Sequence, residues 1–326
     1  MRTDPDLAGA EEEYLAVAAQ AVRTSGGASA LDQLGWWDLL PHLDDPDLRL
    51  AAFAPFRAQG RELGCSPAIG GLLAQPYLDR TVIAPGLAVG TVRRHSARRG
   101  PVHLVVGDVG GREILVDEPG QGAALVALDA VHLRPLDVAG RLLLHEVEFD
   151  WSQAIPVMGE ADAARARPRS LALGRVGLAL EMLGAAEAAV DLAVEHAGGR
   201  EQFGQPIGRF QAVRHLLAWA RTDCVAIHAV AREAVALDAA MPPRYDQVVK
   251  ALAGRNGRRA CERALQVLGG IGFTTEHDHH HHHSRVLALD ALLGTSAELT
   301  HGLGAWLRTD AGDPSYPTAV LLAGRS

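Results

Sequence analysis

Three long helical patterns in series constrain this chain more than any other feature of its sequence. Apolar residues recur at helical spacing over 163–197, 208–239 and 244–267. Each pattern ends at residues that stop helices: Gly198-Gly199, then Met241-Pro242-Pro243, then Gly269-Gly270. Successive long helices with such breaks predict a helical bundle in the last half of the chain.

The first half of the chain contains two further sequence patterns. Residues 8–75 contain Ala- and Leu-rich stretches such as EEEYLAVAAQAV, which predict helices. Residues 76–158 contain short β-rich runs such as VHLVVGDV and LLLHEVEF, broken by Gly, Pro and Asp, which predict a small antiparallel sheet domain. We therefore predict an α+β chain with an N-terminal helical domain (1–75), a β domain (76–158) and a C-terminal helical domain (159–326).

Composition excludes several classes of protein. The formal net charge of -8 argues against a broad nucleic-acid surface, which needs an excess of basic residues. Cys65, Cys224 and Cys261 are far apart and match neither a metal-ligand spacing nor a disulfide framework. The acidic start MRTDPDLAGAEEEYL does not resemble a signal peptide, and no apolar run approaches the length of a membrane span. We expect a cytoplasmic protein that does not bind membranes.

Two stretches of the predicted bundle carry candidate ligand-binding residues. The loop after its first helix reads REQFGQPIGRFQ (200–211), and the third helix ends in ALQVLGGIGF (264–273). Arg200 offers a fixed cation, Gln266 offers an amide, and the glycines let a ligand approach the backbone, which suits a pyrophosphate and an adenine. On these residues alone the simpler interpretation is favoured, in which Arg200 caps a helix end and the glycines only turn the chain.

The two stretches together resemble the C-terminal domain of acyl-CoA dehydrogenases over about 163–309. The resemblance lies in R-x-Q-F-G, in a Gln eight residues after its Phe, and in Q-x-x-G-G-x-G-F. It implies a helical domain, a β domain and a C-terminal four-helix bundle, assembled into dimers or dimers of dimers. It also implies that both stretches cross the dimer interface to the ADP half of an FAD bound mainly by the neighbouring subunit. The residues so assigned are Arg200, Gln202, Phe203, Gln266, Gly269 and Gly270.

The family reaction needs a carboxylate to remove the proton α to the thioester. The resemblance places this Glu in an E-G-T turn, where this sequence has Leu293-Gly294-Thr295. Some relatives carry the base just before an Arg on the first long helix of the bundle, where this sequence has Gly174 before Arg175. Leucine and glycine cannot accept a proton, so we predict no catalytic base at either position.

The β domain lacks the family's flavin-binding signatures as well. Neither a T-E-P-x-A-G-S-D stretch nor the usual Trp-containing strand occurs between 60 and 160, and Trp151 is expected to be only a packed aromatic. Together with the short N-terminal half, these features are most similar to the short, non-catalytic subunit of actinobacterial heterotetrameric acyl-CoA dehydrogenases that act on steroid side chains. That resemblance implies FAD as cofactor, an acyl-CoA substrate, and a second, catalytic acyl-CoA dehydrogenase chain as partner.

Two alternatives stay open from the sequence. The first is an active homomeric dehydrogenase whose base has moved, with Glu62 and Glu146 as candidates. The second is a catalytically inactive homomeric protein that acts as a binding or scaffold module.

A histidine run is the remaining conspicuous feature. His277 and His279 to His283 form the tract HDHHHHHSR. Imidazole binds transition metals, but consecutive residues on a helix point around its whole circumference. Because the family places a surface helix here, we predict a solvated helix without a metal.

Overall fold

The fold was analysed in a computed structural model, which describes residues 5–78, 88–90, 92–96, 100–108, 113–274 and 276–310. Four helices come first, followed by strands and then by five more helices, so the predicted α+β architecture is confirmed. The N-terminal helices are α1 (Pro5–Thr24), α2 (Gly27–Gln33), α3 (Pro46–Glu62) and α4 (Ala68–Ala74). The C-terminal helices are α5 (Glu160–Gly199), α6 (Gln211–Leu237), α7 (Tyr245–Leu268), α8 (His279–Asp290) and α9 (Ser296–Asp310). None of the described helices combines the length and the apolar character needed to cross a membrane.

The β region consists of two four-stranded sheets packed face to face. One sheet has the order β1-β4-β5-β8 and the other has the order β2-β3-β7-β6. Val105 and Val147 of the second sheet pack against Ile114 and Val126 of the first. The strands are β1 (Ala88–Gly90), β2 (Val92–Ser96), β3 (Gly100–Val106), β4 (Glu113–Glu118), β5 (Gly122–Ala127), β6 (Val131–Leu136), β7 (Leu144–Phe149) and β8 (Ile155–Met158).

The main hydrophobic core is continuous across the three regions. It includes Phe56 of α3, Leu73 of α4, Leu104 of β3, Leu178 of α5 and Leu293, which lies between α8 and α9. The changes of secondary structure near 75 and 158 follow the predicted boundaries, but the packing does not separate there. Whether 1–75, 76–158 and 159–326 are independent domains therefore stays a prediction.

The long helix α5 is the central element of the fold. A side chain at Gly60 of α3 would overlap the backbone of α5 at Glu181, and one at Gly184 would overlap the backbone of α3 at Arg57. Two glycines thus allow the two helix backbones to approach closely.

Helix α8 is anchored to the rest of the protein by a buried arginine. Arg285 is fully buried and its Nη1 donates to Glu181 of α5 at 2.7 Å. Its remaining N–H groups donate to backbone carbonyls of the linkers after α3 and before β7, at Leu63, Gly64, Gly140 and Arg141. These hydrogen bonds connect α8 to α5, to the segment after α3 and to the segment before β7.

Candidate functional site

The loop that follows α5 is a tight hairpin with an exposed aromatic tip. Two-residue strands β9 (Glu201–Gln202) and β10 (Gln205–Pro206) pair antiparallel, and the Ile207 N–H donates to the Arg200 carbonyl at 2.8 Å. The two residues between the strands, Phe203 and Gly204, have φ values of 54° and 78°. Positive φ at both central positions is the geometry of the hairpin turns that match strand twist. The Phe203 ring consequently projects outward and is 94% exposed.

The guanidinium of Arg200 faces outward at the end of α5. The residue terminates the helix, but it does so with its backbone N–H, which donates to the His196 carbonyl at 2.9 Å. Among the residues that the structure describes, its side chain has no hydrogen bond and no ion-pair partner. The helix-capping alternative therefore has no support from the side chain. Burial and the neighbouring Arg200 and His277 lower the pKa of His196, which favours the neutral form of this imidazole beside Arg200.

The second stretch forms an open turn at the end of α7. Gly269 has φ 64°, which favours glycine, and a short 3-10 helix runs over Gly269–Phe273. A methyl group added at Gly269 or Gly270 would meet nothing within 4 Å, and Gln266 is exposed. Ile271 and Phe273 are also exposed, by 47% and 76%. The backbone of this turn is therefore accessible to a molecule that approaches from outside.

Packing brings the two stretches to the same end of the bundle. Ala193 and Ala197 of α5 share a small apolar cluster with Ala264 and Leu268 of α7, and Ile207 of the hairpin packs against it. We call this surface the motif end, which comprises the loop 200–209 and the turn 266–273. It presents the guanidinium groups of Arg200 and Arg209, the amides of Gln202 and Gln266, exposed aromatic rings and open backbone, a set of groups that fits a pyrophosphate and an adenine. Sequence reasoning did not assign Ile271 and Phe273 to this surface, although both follow the glycines directly.

The two positions at which the family carries its base lie directly opposite each other. A methyl group added at Gly174 would lie 2.6 Å from Leu293 Cδ1 and 2.8 Å from Leu73 Cδ2. Leu293 is only 7% exposed and belongs to the main core. The space above Gly174 is thus filled by two leucines, and neither position offers a proton acceptor.

Both alternative bases are held by arginines. Glu62 Oε1 accepts from Arg23 Nη1 at 2.6 Å, and the buried Glu146 pairs with Arg134. A carboxylate that is fixed by an arginine is stabilised in its charged form and is a weaker base. The contacts of Glu62 and Glu146 therefore do not favour a relocated base.

The side of the β region that faces the helices is packed against them. Leu104 and Val106 of β3 and Leu144 of β7 belong to the same core as Leu73 and Leu293. Trp151 is partly buried and lies 5.8 Å from the Phe149 ring, as expected for a packed aromatic. Residues 79–87, 91, 97–99 and 109–112 lie outside the described residues, so the structure does not test the predicted loss of the flavin-ring site there.

The prediction of a solvated histidine helix is wrong. His279 is 1% exposed, His282 is 6% exposed, and the other three histidines of α8 are partly buried. His279 Nε2 lies 2.9 Å from the Cys261 carbonyl, and burial lowers the pKa of both His279 and His282 to about 4. The spacing of His279, His282, Val286 and Leu289 is that of a buried helix face and could have indicated this. No group of three or more His, Cys, Asp or Glu suited to a metal occurs in the described part of the chain.

The sequence of this chain is similar to those of known proteins. Residues 165–306 match the model of the acyl-CoA dehydrogenase C-terminal domain. The chain is 30% identical over 254 residues to acyl-CoA dehydrogenase IpdE2 of Mycobacterium tuberculosis, covering 75% of this chain and 73% of that protein.

Two solved structures share the fold at lower identity. The Tcur3481–Tcur3483 steroid ACAD (G363A variant) matches with a TM-score of 0.75 and 20% identity, covering 94% of this chain and 100% of that one. The ChsE4–ChsE5 complex from Mycobacterium tuberculosis matches with a TM-score of 0.68 and 18% identity, covering 96% and 99%. On the sequence match to IpdE2, and in agreement with the fold, this chain belongs to the acyl-CoA dehydrogenase family.

Proposed function

We propose that this chain is the non-catalytic subunit of a heteromeric, FAD-dependent acyl-CoA dehydrogenase. The observation that carries the proposal is the pair of leucines, Leu73 and Leu293, that fills the space above Gly174. A thioester and a base cannot occupy a volume that is already packed with side chains. The chain itself therefore performs no proton abstraction, and its contribution lies elsewhere on the molecule.

The contribution that we propose is made by the motif end. Arg200 has no partner among the described residues, and Phe203 and Phe273 expose apolar rings that a second chain would cover. In the family, FAD accepts the hydride from the β carbon of the acyl group. Arg200 would hold the pyrophosphate of a partner's FAD by charge-assisted hydrogen bonds, and Gln202 and Gln266 would bind its adenosine half. Phe203, Gly269 and Gly270 would shape the contact.

Two related assemblies support a partner of the same family. One is the Tcur3481–Tcur3483 steroid ACAD, and the other is the complex of ChsE4 with ChsE5. We propose that the catalytic partner here is a full-length acyl-CoA dehydrogenase, in a heterodimer or heterotetramer. The proposed reaction is the α,β-dehydrogenation of an acyl-CoA, with a steroid side-chain thioester as the proposed substrate class. Cys65, Cys224 and Cys261 are free thiols, which supports a cytoplasmic location.

The test is co-expression with the acyl-CoA dehydrogenase whose gene lies nearest to this one. We expect a complex whose mass contains both chains and whose flavin content is one FAD per pair. The chain expressed alone should bind little or no FAD and should not oxidise an acyl-CoA. A yellow, fully loaded homo-oligomer of this chain, bleached by an acyl-CoA, would instead support an active homomeric dehydrogenase.

A further inference from the structure

The only lysine of the chain is completely buried. The 326 residues contain 30 arginines and a single lysine, Lys250 of α7, whose relative exposure is 0%. Burying an ammonium group is costly unless its hydrogens are all paired. A lysine in this position, in a chain that otherwise uses arginine, therefore indicates a specific contact.

The ammonium group binds both ends of one short turn. Lys250 Nζ donates to the Asp290 carbonyl at 3.1 Å and to the Gly294 carbonyl at 3.2 Å, and Asp290 Oδ1 lies 3.6 Å away. Two of the three ammonium hydrogens therefore donate to backbone carbonyls, and the Asp290 carboxylate adds an ion pair. Leu293, which fills the space above Gly174, belongs to the segment between these two carbonyls.

The turn needs support because its backbone is strained. Leu293 has φ 55°, a left-handed conformation that leucine rarely adopts, and Gly294 has φ 97°. Such conformations persist only where the surroundings enforce them. Besides Lys250, only Arg175 among the described side chains donates to the carbonyls of 293 and 294, through Nε to the Leu293 oxygen at 3.0 Å. Two cations from α7 and α5 thus hold the conformation that directs Leu293 inward.

The close packing of α7 and α8 explains why an arginine cannot replace this lysine. One turn after Lys250, a side chain at Gly254 would overlap the carboxylate of Asp290. A guanidinium is larger and planar, and it does not fit where one compact ammonium group contacts two carbonyls and a carboxylate together.

We propose that Lys250 is the positioning residue of the 290–295 turn and that it closes the space above Gly174 by holding Leu293 in place. This role does not depend on the proposed function of the motif end. Burial lowers the pKa of Lys250 to about 8, against the opposing effect of Asp290, so the amine stays mostly charged at pH 7. The other charged groups that face it are Arg175 of α5 and Glu298 of α9.

A thiol introduced at position 293 measures the opening of the turn. We would prepare Leu293→Cys in a Cys65→Ala background, which leaves the buried Cys224 and Cys261 as internal monitors of global unfolding. Adding Lys250→Met should raise the rate at which a thiol reagent labels the introduced thiol by about tenfold or more, because two charge-assisted hydrogen bonds are lost. Lys250→Arg should raise the rate as well, and labelling of Cys224 and Cys261 should stay slow.

Arg49→Met is the matched control. Arg49 is also buried and also donates to backbone carbonyls, at Leu43, Val235 and Ala236, far from the turn in sequence. This variant should lower the melting temperature without changing the labelling of the thiol at position 293. Equal labelling of that thiol with and without Lys250→Met, or an equal increase for Arg49→Met, would overturn the proposal.

A second measurement keeps Lys250 in place, in case Lys250→Met does not fold. Lys250 carries the only side-chain amine of the chain, so acetylation followed by mass spectrometry reports its exposure directly. The experiment uses Leu293→Cys in the Cys65→Ala background and low urea, below the unfolding transition. The protection factors of the Lys250 amine and of the introduced thiol should agree within about twofold, because one opening exposes both. Rapid labelling of the thiol while Lys250 remains fully protected would contradict the proposal.

Discussion

The motif end and the 290–295 turn satisfy their polar groups in opposite ways. At the motif end, the Arg200 guanidinium has no partner in the described chain, and Phe203 is 94% exposed. At the turn, the carbonyls of residues 290, 293 and 294 are bound by Lys250 and Arg175, and Leu293 is buried.

This contrast indicates whether the groups of each region find their partners within the chain or in another molecule. Buried polar groups in folded proteins have partners, and contiguous exposed apolar patches commonly mark surfaces that bind another molecule. The 290–295 turn has its polar groups paired within one chain, whereas we propose that the motif end is completed by a partner chain and its FAD.

Leu293→Glu should destabilise the protein strongly and should not create activity. A carboxylate placed between Leu73 and Gly174 would be buried without a prepared partner, which typically costs about 3–5 kcal/mol. Urea unfolding of the isolated chain measures the loss, and an assay with an artificial electron acceptor checks activity. Leu293→Met conserves volume and should cost less than about 1.5 kcal/mol. Turnover of an acyl-CoA by Leu293→Glu would show that the space is not closed.

Arg200→Ala should weaken FAD binding in the complex without affecting the isolated chain. Loss of a charge-assisted contact of roughly 1.5–3 kcal/mol corresponds to about a ten- to hundredfold loss of FAD affinity. Arg200→Lys should recover only part of it, because an ammonium lacks the planar fork. Titration of FAD into the apo-complex measures the affinity.

Arg165→Ala, an exposed arginine near the other end of α5, is the control for this experiment and should leave the affinity unchanged. If Arg200→Ala lowered the melting temperature of the isolated chain but left FAD binding in the complex intact, Arg200 would act within its own chain.

Gly174→Ala and Gly198→Ala compare the filled and the open regions within one helix. The added methyl group at Gly174 would lie 2.6 Å from Leu293 Cδ1, whereas at Gly198 it would meet nothing within 4 Å. Overpacking should cost about 1–3 kcal/mol at Gly174, and the better helix propensity of alanine should make Gly198→Ala neutral or slightly stabilising. Denaturant melts of both variants provide the measurement.

Leu293→Ala in the same molecule should reduce the cost of Gly174→Ala, because it removes the closer of the two clashing atoms. An additive double variant would mean that the two side chains do not meet.

The packed region should also be sensitive to mild acid. Burial lowers the pKa of His279 and His282 to about 4, so between pH 6.5 and 4 the unfolded chain binds more protons than the folded chain. Folding stability should therefore fall as the pH falls, by about 1 kcal/mol for each histidine between pH 7 and pH 5.5. His282→Gln should flatten the dependence of urea midpoints on pH, whereas substitution of the exposed His301 should not affect it. Parallel pH curves for wild type and His282→Gln would contradict this.

Much of the architecture follows from local sequence signals. Gly198-Gly199 are the last two residues of α5, and Gly269 follows the last residue of α7 with φ 64°, a left-handed conformation that glycine readily adopts. The helical, β and helical order follows in the same way from periodicity. The R-x-Q-F-G and Q-x-x-G-G stretches, and the Leu and Gly at the two base positions, are likewise properties of the sequence alone.

Only the tertiary structure decided which of these residues meet. Gly174 and Leu293 are far apart along the chain, and nothing local predicts that one leucine fills the space above that glycine. The histidine run has a polar composition typical of a solvated helix, yet packing against α7 and the anchor of Arg285 bury His279 and His282. The sequence singles out Lys250 as the only lysine, but its role follows from the carbonyls that the fold places around it. Helix ends depend on a few neighbouring residues, whereas burial and partners depend on contacts between distant segments, which a single sequence does not specify locally.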